Sequence, residues 1–108
     1  MIPLRIFSEL FHLAPTGTEF EFYFNNTEES YMLIKYDDSV SFQRCGYYLG
    51  TDELFYTSFE ELYVVTTVDG LYLKNDWNKV KQICIDSLYC IPDDIDEIYE
   101  VYQIKTGK

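Results

Sequence analysis

Over residues 18–24, phenylalanine recurs at every second position: Phe20, Phe22 and Phe24, with Glu19, Glu21 and Tyr23 between them. Successive side chains of a strand point to opposite faces. The stretch is therefore a strand with three aromatic rings on one face and polar groups on the other. A face of three rings must be covered, so this strand belongs to a sheet packed against a second layer.

The flanking segments supply both the sheet and its cover. Leu4, Phe7, Leu10 and Phe11 recur at helical spacing, with Ile6 and Leu13 widening the stripe, behind Pro3 in the first turn. Pro15 and Gly17 stop this helix. Residues 25–29 form a polar turn and 31–36 a second strand, so 18–36 is a hairpin. Asp37-Asp38-Ser39 turns the chain into a third strand over 40–49, interrupted or bulged near Gly46.

Ser58-Phe59-Glu60-Glu61 has the form of a capping box and starts a short helix through Leu62 and Val65, limited by the β-branched run at 64–68. After the Asp69-Gly70 turn, Leu73, Trp77, Val80, Cys84 and Leu88 keep helical spacing, with Lys74, Lys79 and Lys81 between them. Over 95–104 two patterns coexist. Ile95, Ile98, Tyr99 and Tyr102 fit a helix. Ile98, Tyr102 and Ile104 opposite Tyr99 and Val101 fit a strand, and the β-branched and aromatic content favours a strand from Ile98. The expected architecture is a single α+β domain over residues 1–108, in the order α-β-β-β-α-α-β, with helices on one face of an antiparallel sheet.

Composition agrees with a packed core: 47% of the 108 residues are hydrophobic and 19% aromatic, far from the profile of a disordered acidic tail. No apolar run approaches membrane-spanning length. The opening residues read as an amphipathic helix, not as a secretion signal. A cytoplasmic protein is expected, with Cys45, Cys84 and Cys90 as reduced thiols packed as small hydrophobes and no disulfide.

Little in the chain points to catalysis. His12 is the only histidine and sits near a helix end, where a structural role is the commoner one. No cysteine has a neighbouring histidine or a CxxC partner to activate it. Cys84 and Cys90 are six apart with no matching pair, so no zinc site is expected. There is no phosphate-cradling glycine loop, no GxSxG and no EF-hand loop. The paired carboxylates fall in turns or at a helix start, where water solvates both charges and nothing separates their pKa values. The expectation is a protein that is not an enzyme and needs no cofactor or metal.

What stands out is charge. Nineteen Asp and Glu face eight Lys and Arg, for a net −11, beyond the magnitude of about 2–8 that solubility asks of a small domain. Such a field repels nucleic acid and anionic membranes and attracts basic proteins. The longest acidic stretch without a compensating base, from Asp86 on, makes Asp93, Asp94, Asp96, Glu97 and Glu100, with Tyr99 and Tyr102 as anchors, the first candidate partner-binding set. Glu28, Glu29, Asp37 and Asp38 are the second.

The run Ser8-Glu9-Leu10-Phe11-His12-Leu13-Ala14-Pro15, then Thr18-Glu19-Phe20-Glu21-Phe22, and the closing Ile98-Tyr99-Glu100-Val101-Tyr102 resemble small accessory proteins of phages and mobile elements of low-GC Gram-positive bacteria. Many of those open with a helix that ends in a Leu-Leu-Pro-like stop before an acidic strand. The resemblance implies a setting in which acidic inhibitors, anti-CRISPR and anti-restriction proteins among them, are common, and it assigns no functional residue. The expected function is an acidic nucleic-acid mimic that covers the basic surface of a partner such as a nuclease or CRISPR effector, without binding nucleic acid itself. An immunity protein or antitoxin against a basic toxin, and a self-assembling accessory protein, are the alternatives. Oligomeric state is left open.

Overall fold

The computed structural model describes residues 2–25, 28–45, 53–86 and 89–91, and the three-phenylalanine strand lies inside its sheet. This strand, β1 (Glu19–Phe24), pairs antiparallel with β2 (Ser30–Lys35) on one side and with β5 (Val80–Ile85) on the other. Beyond β2 come β3 (Val40–Arg44) and β4 (Leu54–Tyr56), and beyond β5 comes β6 (Tyr89–Cys90). Among the described residues the sheet order is β4-β3-β2-β1-β5-β6. Three helices accompany it: α1 (Leu4–Leu13), α2 (Phe59–Tyr63) and α3 (Leu73–Asp76). The α+β class and the succession α-β-β-β-α-α-β are those the sequence suggests, with β4 and β6 in addition.

Register explains the core. Phe20 lies between Leu33 and Ile85, and Phe22 between Tyr31 and Ile83, so three strands present one apolar face. α1 covers it with Ile6, Phe7, Leu10 and Phe11, and Phe59, Leu62, Leu73 and Trp77 join the same cluster. Phe7 meets Phe20 and Phe22 edge-on, with ring centres 5.2 and 5.4 Å apart, the geometry that ring quadrupoles favour. The Trp77 indole N–H donates to the Ile2 carbonyl at 2.7 Å, which ties the chain ahead of α1 to the core.

The ends of the elements follow local chemistry. The Pro3 carbonyl accepts from the Ile6 and Phe7 amides, so this proline caps α1 from just outside its first turn. After α1, Gly17 adopts φ +96°, a conformation open to glycine, and turns the chain into β1. At α2, Ser58 Oγ accepts from the Glu61 amide at 3.1 Å, the first half of a capping box. Glu61 reaches back one residue further than the motif implies, accepting from the Thr57 amide at 2.7 Å.

Four sequence expectations are corrected. Leu13 is not part of the buried stripe: it is 69% exposed, because the helix ends before its side chain can turn under. β4 was not anticipated, since three residues are too few to show alternation. The helix expected from Leu73 through Leu88 stops early: α3 ends at Asp76, a 3-10 turn covers Trp77–Lys79, and Val80–Ile85 is strand β5. The cause is a register shift opposite Tyr23 and Phe24, where Tyr23 faces Gln82 but Phe24 faces Val80. The extra residue, Lys81, spaces Val80 and Ile83 by three while both are buried in the core. Val80 and Cys84, four apart and so read as helical neighbours, thereby come to lie on opposite faces of β5. The third strand ends at Arg44, and the proposed irregularity near Gly46 lies outside the described residues, as does the 95–104 segment.

The fourth correction concerns the cysteines. Cys84 and Cys90 face each other across β5 and β6 and are joined in a disulfide. Their spacing of six, which suggested nothing as a metal pattern, is that of a short hairpin with both cysteines on one face. Cys45 is the free thiol, and burial pushes it above the usual range, with the Glu21 charge adding to the effect. Closing so small a loop should contribute about 2 kcal/mol, mainly by restricting the unfolded chain. Replacing both Cys84 and Cys90 with serine is expected to lower unfolding free energy by that amount in a urea titration. An intact-mass comparison before and after reduction should show the loss of the bond as a two-proton gain. An unchanged mass would contradict the disulfide.

Candidate partner-binding surface

The first candidate set, Asp93, Asp94, Asp96, Glu97, Tyr99, Glu100 and Tyr102, lies outside the described residues. The second set is described, and it does not form one patch. Glu28 and Glu29 precede β2 and Asp37 and Asp38 follow it. A six-residue strand spans roughly 20 Å at about 3.3 Å per residue, so the two acidic pairs sit at opposite ends of the sheet. Asp37 also accepts a hydrogen bond from the Thr16 hydroxyl at 2.9 Å, which holds it against the turn before β1.

Asp86, the first residue of the long acidic stretch, has a structural duty. It ends β5 in the left-handed region at φ +52°, which aspartate tolerates better than most residues. Its carboxylate accepts from the Glu19 amide at 2.9 Å while its own amide donates to the Glu19 carbonyl at 2.8 Å. Asp69 is similar. At φ +59° it accepts from the Tyr31 hydroxyl at 2.8 Å and from Arg44 at 2.7 Å. Burial, followed by this hydrogen bond, holds the Tyr31 phenol far above its ordinary pKa, so Tyr31 is a donor and not a titrating group.

Among the described residues, four of the six lysines and arginines have partners within the molecule. Lys35 donates to the carbonyls of Phe11, His12 and Ala14 at 2.8, 3.2 and 2.7 Å. Arg5 pairs with Glu9 at 2.9 Å, Arg44 with Asp69, and Lys79 with Asp76 at 3.3 Å. Lys74 and Lys81 are exposed. Meanwhile Glu19, Glu28, Asp37, Asp38, Glu60 and Glu61 all face solvent. The pairs with Glu9, Asp69 and Asp76 each cancel one carboxylate, so the excess of negative charge is carried by the other acidic side chains.

The polar face of β1 carries a smaller network: Ser30 donates to Glu21 at 2.8 Å, and the hydrogen bond to Glu21 helps to raise the Tyr23 phenol after burial. Across the molecule, His12 Nε2 lies 3.0 Å from Glu60 Oε2, and this contact lowers the Glu60 carboxyl. Beside it, α1 and α2 enclose an open groove of about 490 Å³. No sequence pattern pointed to the groove, because its walls come from segments some fifty residues apart, and each wall alone reads as an ordinary amphipathic helix.

Among the described residues no three His, Cys, Asp or Glu side chains converge where a metal ion could sit, and no helix is long and apolar enough to cross a membrane. Compared with protein-family models, with curated proteins and with solved structures, the chain matches none of them.

Proposed function

We propose that this protein is a non-catalytic acidic inhibitor that occupies a basic, nucleic-acid-binding surface of a partner protein, of the anti-CRISPR or anti-restriction kind. The observation that carries the reading is the disposition of charge: the chain has net −11, and Glu19, Glu28, Asp37, Asp38 and Glu61 face solvent. Carboxylates held on a rigid sheet and helices can pair with the lysines and arginines that a partner uses for phosphates, and the field speeds encounter. The reading includes a cytoplasmic location.

The test is competitive release. Host proteins captured on the tagged protein are eluted in parallel with excess duplex DNA and with rising salt. The expected result is that both release basic nucleic-acid-binding proteins, with affinity falling steeply as the screening length drops below about 8 Å. Partners that stay bound under excess DNA, with a flat salt dependence, would overturn the reading and leave the charge as a solubility feature.

A further inference from the structure

β4 pairs with β3 on one side and is the last strand at that end of the sheet among the described residues. The phase of the ladder fixes which way its backbone points. The Tyr36 amide donates to the Ser39 carbonyl, and the Cys45 amide to the Ser30 carbonyl. Hydrogen-bonded pairs of β2 and β3 therefore fall at every second position between these and include Ile34 with Ser41. Ser41 thus turns its amide and carbonyl toward β2, and those of Phe55, its partner on β4, point away from β3 into the open edge. Neither group of Phe55 has a hydrogen-bond partner among the described residues. The Thr57 amide, next in that phase, donates to Glu61. An edge of this kind accepts an extended chain as a further strand, whereas the backbone groups of a helix bond to one another.

The side chains set the chemistry of that added strand. Phe55 is 61% exposed and lies on the face opposite the helices, since its neighbour Leu54 pairs with the core residue Phe42. Glu53, two residues before, lies on that face too. Tyr36 joins the two: its ring centre is 5.9 Å from that of Phe55, and its hydroxyl donates to Glu53 at 3.1 Å. A phenol is a neutral donor, so it orients the carboxylate without cancelling its charge, and no lysine or arginine of the described residues pairs with Glu53. A second copy of the chain would set net −11 against net −11. We infer that β4 takes an extended, arginine-bearing segment of a partner protein as an added strand. The segment bonds to the Phe55 backbone and places an arginine opposite Glu53, from where the guanidinium reaches the Phe55 ring on the diagonal. The basic sign of the segment rests on the function proposed above; the open backbone of the edge does not.

The probe is a short synthetic peptide alternating arginine and valine, titrated into the full chain and followed by amide chemical shifts. One control is methylated at its backbone amides, which keeps the charge and removes the donors. The other carries glutamate for arginine. The largest shifts are expected at residues 53–57, with each control binding at least about tenfold more weakly, a difference of about 1.4 kcal/mol. Phe55→Pro should weaken the arginine peptide by a similar factor, because it removes the outward amide; a strand edge whose N–H faces solvent tolerates proline. Glu53→Gln keeps an acceptor for Tyr36 and loses the charge. It should weaken the peptide about threefold, the scale of an exposed ion pair, and keeps the test open if the proline disturbs the fold. Shifts centred elsewhere or equal binding of either control would overturn the proposal. So would shifts at these residues on concentrating the protein alone, which would give the edge to a second copy. No captured host protein enters the titration, so its failure leaves the competitive-release test standing, and failure of that test leaves the strand pairing standing.

Discussion

Replacing Phe7 with alanine is expected to destabilise the domain by about 3–5 kcal/mol, the range for deleting a fully buried ring. Phe7 is 0% exposed and touches five other rings: Phe11, Phe20, Phe22, Phe59 and Trp77, at centre distances from 5.2 to 6.2 Å. Those partners come from α1 itself, β1, α2 and the turn after α3, so the cavity would open where the layers meet. No single neighbour can relax into it without leaving another contact. A loss of that size is a large share of the 5–15 kcal/mol that a domain of this kind has in total. Trp77, the only tryptophan, lies 5.5 Å from Phe7 and reports unfolding in urea by its fluorescence. Leu13→Ala serves as the control: at 69% exposure it should change stability by about 0.5 kcal/mol or less. A loss below about 1 kcal/mol for Phe7→Ala would mean that α1 does not sit on the phenylalanine face of the sheet.

What could be read from the residues was whatever is written locally. The alternation at Phe20, Phe22 and Phe24 defines β1 and its buried face, because strand period needs only neighbouring residues to show itself. Ser58 announces α2, because a cap is a contact between residues three apart. β5 was misread for a physical reason: the register shift opposite Tyr23 and Phe24 depends on the partner strand, and from the sequence side it looks like one turn of helix. The Cys84–Cys90 pairing needed the hairpin between β5 and β6 to be known first. The candidate site was legible only as charge. That Asp69 and Asp86 serve as turn residues with left-handed backbones, and are thereby withdrawn from any free acidic face, follows from contacts with Tyr31, Arg44 and Glu19 that lie 38, 25 and 67 positions away. The same distance in sequence hid the α1–α2 groove and the role of Lys35.

Lys35 carries the second large expected effect. It ends β2, half-buried, on the same face as Leu33. Its ammonium donates to the carbonyls of Phe11, His12 and Ala14 and sits 5.2 Å from the centre of the Phe11 ring. Carbonyls at the end of a helix have no partner within it, and the partial negative charge there favours a cation. One side chain therefore satisfies the C-terminal end of α1 and fastens it to the sheet. Lys35→Met keeps most of the apolar stem and removes the charge, leaving the three carbonyls, two of them in part-buried contacts, without their ammonium donor. The expected cost is about 2–3 kcal/mol, the range for hydrogen bonds to a charged group in a partly buried setting. Lys79→Ala, which removes an exposed pair with Asp76, should cost no more than about 0.5 kcal/mol. The loss at Lys35 should also be local before it is global, with amide exchange rising first in the last turn of α1 and at Ala14. If Lys35→Met costs as little as Lys79→Ala, water caps α1 as well as the ammonium does, and the helix is held to the sheet by its phenylalanines alone.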